Sequence, residues 1–409
     1  MTVESTIQSD RFVAARPCLS VDVAPIALRV RAQRVAAVAK QHADDVDRRG
    51  RHPAEAIDSA RTERLLSALA PVELGGDGAP LGDVAEVCYI LGQACASTAM
   101  IFAMHQVKVA CVVRHGLGNA WQRRFLERLS ADQLLVASST TEGARGGDIR
   151  NSEAPIEAGG HGMIQLNREA SVISYGAEAD VIVTTARRAP DAEASDQVLA
   201  VFPREHYTLE PGQAWDTLGM RGTCSAGFVL RARGRTDQVL PQAYGEIHTQ
   251  TMVPSSHLLW SSVWAGIAAS AVERARRYTR RAWKGGSESA PSAHYYAKAQ
   301  SALRAMRALI SSGLDRYARL ENDPEALAGV EFQSAINLLK VDASELGVSA
   351  ALNALRACGL SGYRNDSDVS VGRNLRDLLS APTMINNDRI LQSTMGATLL
   401  GEVYGSLRD

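Results

Sequence analysis

The sequence predicts a multidomain α+β protein in which one β-rich unit separates two helical ones, and three observations carry that prediction. The chain has 409 residues, more than one ordinary core accommodates. Residues 23–132 and 245–409 are rich in Ala, Leu and Arg, with apolar positions three and four apart, the period of a helix with one buried face. Residues 133–240 instead break into short β-branched runs separated by Gly, Asn, Asp and Pro.

In chain order, a polar N-terminal tail precedes the first helical unit. There PVELGGDGAPLGD, with four glycines and two prolines, reads as a loop between helices. The strand candidates of the middle unit are LLVASST, MIQLN, ASVIS, DVIVTTA, QVLAVF and GFVLRA. Pro254 opens a long helix running from His257 to about Arg281. KGGSESAPS then makes an exposed turn, and further Ala- and Leu-rich helices form an antiparallel bundle.

Charge and cysteine usage narrow the function classes. Lys and Arg number 44 against 45 for Asp and Glu, a net charge of −1, so no general field favours nucleic acid. The six cysteines form no CxxC pair and no His/Cys cluster at metal-ligand spacing, so they read as reduced thiols and no metal is expected. The N-terminus lacks a basic start and apolar run, and no stretch holds about 18 uninterrupted apolar residues. A cytoplasmic chain that spans no membrane is expected.

Four segments carry chemistry. SSTTEGARGGD, from Ser138 to Asp148, contains Ser139, Thr141 and Gly147; SVISYGAEADVIVTTA, from Ser171, contains Val172 and Ser174. WDTLGMRGTCSAGFVL closes the β unit, and CGLSGY followed by GRNLRD brings Gly359 and Gly362 before Arg376 and Asp377. In this order these segments resemble the acyl-CoA dehydrogenases over nearly the whole chain, including the Thr-Glu-Pro-Gly-Ala-Gly-Ser-Asp, Leu-Gly-Met-Arg-Gly-Thr-x-Ser and Gly-Gly-x-Gly-Tyr motifs.

The resemblance implies an acyl-CoA dehydrogenase-like fold with an N-terminal helical domain, a middle β domain and a C-terminal helical bundle. It implies FAD between the domains. Ser139, Thr141 and Ser174 fall beside the flavin ring, Val172 takes the place of a tryptophan, and Gly359 and Gly362 approach the adenosine diphosphate half held partly by a neighbouring subunit. A homotetramer or homodimer follows. Gly147, Ser256 and His257 fall where the family contacts substrate, an acyl thioester on CoA or on an acyl carrier protein; the residues do not identify the electron acceptor.

The chain departs from the family where the chemistry is done. Dehydrogenation needs a base for the α-proton while the flavin takes the β-hydride, and that base is normally a glutamate. Counting from Arg376 and Asp377 reaches Ile385, or with a small shift Asn386 or Asn387; the alternative position, on the helix after the β domain, is Ser256. The remaining catalytic candidates are Asp388, which equally suits the first turn of a helix, His257, and His105 on the apolar helix STAMIFAMHQVKVACVV. Some flavin monooxygenases of this fold use a histidine in that helix, although a core histidine satisfied by a carbonyl fits as well. Ala282 stands where the family places an arginine for the flavin pyrophosphate, with Arg281 and Lys284 as the neighbours able to substitute for its charge. The expected activity is FAD-dependent oxidation of an acyl thioester; the alternatives are a reduced-flavin-dependent monooxygenase and a catalytically silent partner subunit.

Overall fold

The computed structural model describes residues 26–142, 151–284 and 292–400. The first helical unit contains α1 (Leu28–Arg49), α2 (Ala54–Thr62), α3 (Leu81–Ala94), α4 (Ala96–Gly116) and α5 (Ala120–Asp132). On α1 the buried Ala32, Val35, Ala39, Ala43 and Val46 recur every three or four residues, which is why this segment lies along the core as a helix. The loop before α3 ends at Pro80, so the last three residues of PVELGGDGAPLGD belong to the helix: Pro80 fixes the entry and Asp83 sits in the first turn.

Helix α4 is long and apolar enough to cross a bilayer, yet 89% of its apolar stretch is buried inside the protein. Its composition is that of a central core helix, with helices packed on several sides.

The β unit consists of two sheets built from β1 (Val136–Ser139), β2 (Glu157–Gly160), β3 (Met163–Ile173), β4 (Val181–Arg187), β5 (Gln197–Pro203), β6 (Tyr207–Pro211) and β7 (Ala226–Arg235). One sheet has the order β1-β4-β5 and the other β2-β3-β7-β6. The runs MIQLN and ASVIS, expected as two strands, are one: β3 alternates exposed and buried residues from Met163 to Ala170, so a single face packs inward throughout. Its register against β7 shifts between Ala170 and Ile173, a bulge that re-aims Val172 and the residues after it.

The last unit contains α6 (Tyr244–Ile247), α7 (Val253–Lys284), α8 (Ala293–Leu320), α9 (Pro324–Ala328), α10 (Val330–Cys358), α11 (Leu360–Tyr363), α12 (Gly372–Leu378) and α13 (Asn387–Leu400). Helices α7, α8 and α10 form the bundle, and α7 also packs on α3 and α4. One wide turn, His248–Met252, joins α6 to α7, so helical structure begins before the expected His257. Most of KGGSESAPS lies outside the described residues.

Candidate active site

The LGMRGT string is a structural junction. A Cβ on Gly219 would lie 2.2 Å from the Arg376 carbonyl oxygen, so only glycine lets α12 approach this closely. The Met220 amide donates to Asp377 Oδ1 at 2.7 Å, and Arg221 Nε donates to the Asp47 carbonyl at 2.9 Å. Arg376 pairs with the Asp47 carboxylate. Residues of all three units thus meet here. Burial pushes the Asp377 carboxyl up to about 6, although the Met220 amide opposes the shift.

Beyond this junction three hydroxyls form a chain. Ser174 Oγ lies 2.8 Å from Ser225 Oγ, which lies 2.8 Å from Thr223 Oγ1, and Thr223 donates to the Met220 carbonyl at 2.8 Å. Each hydroxyl has one proton. With the Thr223 proton on Met220, Ser225 donates to Thr223 and Ser174 donates to Ser225. The free lone pair of Ser174 is left as an acceptor for whatever stands in front of it.

The turn that presents Ser174 is held firmly. Tyr175 has φ +43°, its amide donates to the Thr223 carbonyl at 2.8 Å, and its buried hydroxyl donates to Val136 O at 2.9 Å. Thr141 reaches the same strand end, donating from Oγ1 to the Val172 carbonyl at 3.3 Å. Ser139 Oγ is fully buried with no hydrogen-bond partner among the described residues. Thr141, bonded to the Val172 carbonyl, and the Ser174, Ser225 and Thr223 hydroxyls form a polar patch at the end of β3, and Ser139 is the last residue of β1. Glu142 is structural: it pairs with the buried Arg168 at 3.1 Å and accepts the amides of Glu153 and Ala154.

The candidate bases do not join this patch in usable form. Both ring nitrogens of His105 are occupied, Nε2 donating to Leu66 O at 2.7 Å and Nδ1 accepting the Val136 amide at 3.0 Å. Burial lowers its pKa to about 4. His105 is a neutral cross-brace between α4 and β1. His257 is buried, its Nδ1 donates to Ile336 O at 3.2 Å, and burial with the neighbouring Lys340 charge lowers its pKa to about 3. Ser256 is buried beside it on α7. Asp388 is exposed in the first turn of α13, where its amide donates to Asn386 Oδ1 at 3.0 Å. That is helix-start chemistry.

Ile385, which the count from Arg376 and Asp377 reaches first, is half-buried at φ +56°, and Asn386 and Asn387, reached by a small shift, follow it, Asn386 at φ +39°. A β-branched residue in the left-handed region is strained, and such strain persists where surrounding structure over-determines it. The over-determining group is Lys340 of α10, fully buried, which donates to Ala381 O at 3.1 Å and to Asn387 Oδ1 at 2.7 Å. Asn387 in turn donates to Ser344 Oγ at 3.0 Å and Glu345 Oε1 at 3.2 Å. Burial lowers the Lys340 pKa to about 8. Sequence reasoning missed both Lys340 and Ser225; the first was signalled only by a lysine on an otherwise apolar face of α10, the second by the hydroxyls of the TCS string.

Gly359 and Gly362 lie apart from the hydroxyl patch, on the turn between α10 and α12. Gly147 lies outside the described residues.

Models of the "Acyl-CoA dehydrogenase, N-terminal domain" and "Acyl-CoA dehydrogenase, C-terminal domain" match residues 26–133 and 250–398. The chain belongs to the acyl-CoA dehydrogenase superfamily. It is thus a member of a family of flavoprotein oxidoreductases, many of which act on acyl-CoA. It is 24% identical over 362 residues to cyclohex-1-ene-1-carbonyl-CoA dehydrogenase of Syntrophus aciditrophicus (strain SB), covering 87% of this chain and 84% of that one. It is 27% identical over 245 residues to dibenzothiophene monooxygenase of Mycolicibacterium goodii, covering 57% and 58%. Among solved structures, FMN-bound TdsC from Paenibacillus sp. A11-2 shares the fold, with a TM-score of 0.80 and 19% identity over 91% of this chain and 97% of that one.

Proposed function

We propose that this acyl-CoA dehydrogenase homologue is a reduced-flavin-dependent monooxygenase. The observation that carries the reading is the side chain at the counted base position: Ile385 cannot take a proton, His105 and His257 are buried, neutral and bonded to backbone, and Asp388 sits exposed in the first turn of α13. Oxygen transfer needs no base for an α-proton. Ser139, Thr141 and Ser174 are the residues that would hold the flavin edge, and the Ser139 hydroxyl, unpartnered among the described residues, fits a group arriving there.

When bound, reduced flavin supplies the two electrons with which O₂ gives one oxygen atom to the substrate and one to water. The chain's own part is orientation and exclusion of water. Ser174, left as an acceptor by the relay through Ser225 and Thr223, matches a ring nitrogen carrying a proton, which the flavin N5 does in its reduced form. Met384 and Ile385, half-buried against the core, put apolar side chains at the counted base position, which suits an apolar substrate.

Oxidation of an acyl thioester is the second reading, supported by similarity to cyclohex-1-ene-1-carbonyl-CoA dehydrogenase over most of both chains. Supplying flavin-loaded protein with acyl thioesters without oxygen, and separately supplying protein and reduced flavin with oxygen and apolar heteroaromatic compounds, separates the two. Labelled oxygen in a product supports oxygenation; flavin bleaching by a thioester overturns it.

A further inference from the structure

We infer that the chain binds flavin as the mononucleotide and excludes the adenosine diphosphate half of FAD. This rests on the reading of the hydroxyl patch as a flavin site. The observation behind it is a groove of about 380 Å³ between the last turns of α7 and the segment after α10, lined by Tyr278, Ala282, Ser361 and Val369, with Arg281 and Asp368 across it.

This groove adjoins the glycine turn to which the resemblance assigns the adenosine diphosphate. A diphosphate needs free cationic donors and backbone that can approach closely. Among the described residues lining the groove, the one cation is already engaged. Arg281 donates to the Asp368 carboxylate at 2.7 Å, Arg277 donates to the Asp368 carbonyl at 3.2 Å, and Arg274 donates to the Ser370 carbonyl at 2.7 Å. Three arginines along one face of α7 are thus spent on holding residues 368–370. At position 282 the side chain is a methyl group.

The anion among the lining residues is the protein's own. Asp368 is held ionised by its bond to Arg281, so a diphosphate entering here would meet a carboxylate and compete with it for the same guanidinium. The glycines have internal reasons as well. A Cβ on Gly362 would lie 2.5 Å from Cys358 Cβ, so this glycine is needed for packing inside its own turn. Gly359 adopts φ +56° to end α10 and start α11.

The test is titration of flavin-free protein with FMN and with FAD, followed by calorimetry and by quenching of flavin fluorescence, on the natural chain and on Asp368→Ser and Ala282→Arg. The inference expects FMN to bind at least about tenfold more tightly than FAD. It expects either substitution to tighten FAD several-fold while leaving FMN within about twofold. Equal or tighter binding of FAD by the natural chain overturns the inference and leaves the flavin reading standing. Failure of both flavins to bind a folded protein, checked by circular dichroism, overturns the flavin reading and the inference together.

Discussion

The junction at residues 219–225 and the loop at residues 381–387 lie at either side of α12, and the contrast between them separates scaffold from chemistry. The junction carries the family's string almost unchanged because each residue meets backbone: Gly219 against Arg376, Met220 on Asp377, Arg221 on Asp47. The loop is held from within its own unit, by Lys340 on Ala381 and Asn387, and the resemblance puts the family's base at Ile385 or the two asparagines after it, none of them a carboxylate. A side chain that holds domains together cannot change without loss of the fold. One that faces a substrate can change with the reaction.

The sharpest way to break the comparison is at the junction. Gly219→Ala should cost more than about 3 kcal/mol, because the new Cβ meets a backbone carbonyl that cannot move without α12. Failure to fold, or a large fall in the denaturant midpoint, is expected; a midpoint like that of the natural chain would show that the junction yields.

The next effect concerns Lys108 on α4, fully buried, with a 3.0 Å contact from its ammonium to Met252 Sδ. Burial lowers its pKa from 10.5 to about 8. A lysine with a depressed folded-state pKa destabilises the fold below that pKa, and the penalty fades as pH rises towards the unfolded value. Lys108→Met should therefore stabilise the protein at pH 7, by up to an order of 3 kcal/mol. Its advantage should shrink between pH 8 and 10.5. Urea melts at several pH values check this, and an advantage that does not vary with pH would contradict it.

At the hydroxyl patch, Ser225→Ala frees Ser174 to turn its proton outward. The preference for reduced over oxidised flavin should fall about tenfold, the equivalent of one hydrogen bond, read from the bound flavin's reduction potential. An unchanged potential would remove the relay from the account. The smallest effect is at Asp377, whose carboxyl is pushed up to about 6. A carboxyl with a raised folded-state pKa loses stability as pH rises from the unfolded value through that pKa. Asp377→Asn keeps an acceptor for Met220 and should flatten the stability profile between about pH 4 and 6. A slope equal to that of the natural chain would place the titration elsewhere.

The same contrast explains what could be read without coordinates. Helical period, short β-branched runs and the LGMRGT string announce helices, strands and junction because each reflects a local or short-range requirement. The division of β3 into two runs misled because it falls at Arg168 and Glu169, charged residues that read as a break, whereas Arg168 is buried within the strand with its charge paired to Glu142. His105 looked chemical because its partners, Leu66 O and the Val136 amide, are 39 and 31 residues away. Lys340 was illegible for the same reason, since its partners arrive from the loop after α12.

The most direct test of the central claim is to mix protein holding reduced flavin with oxygenated buffer and follow the flavin spectrum. The account predicts an oxygen-dependent transient that outlives the reoxidation of free flavin and no bleaching of oxidised flavin by any acyl thioester. Bleaching by a thioester, with reoxidation no different from that of free flavin, would show that the chain dehydrogenates after all and that a base has been overlooked.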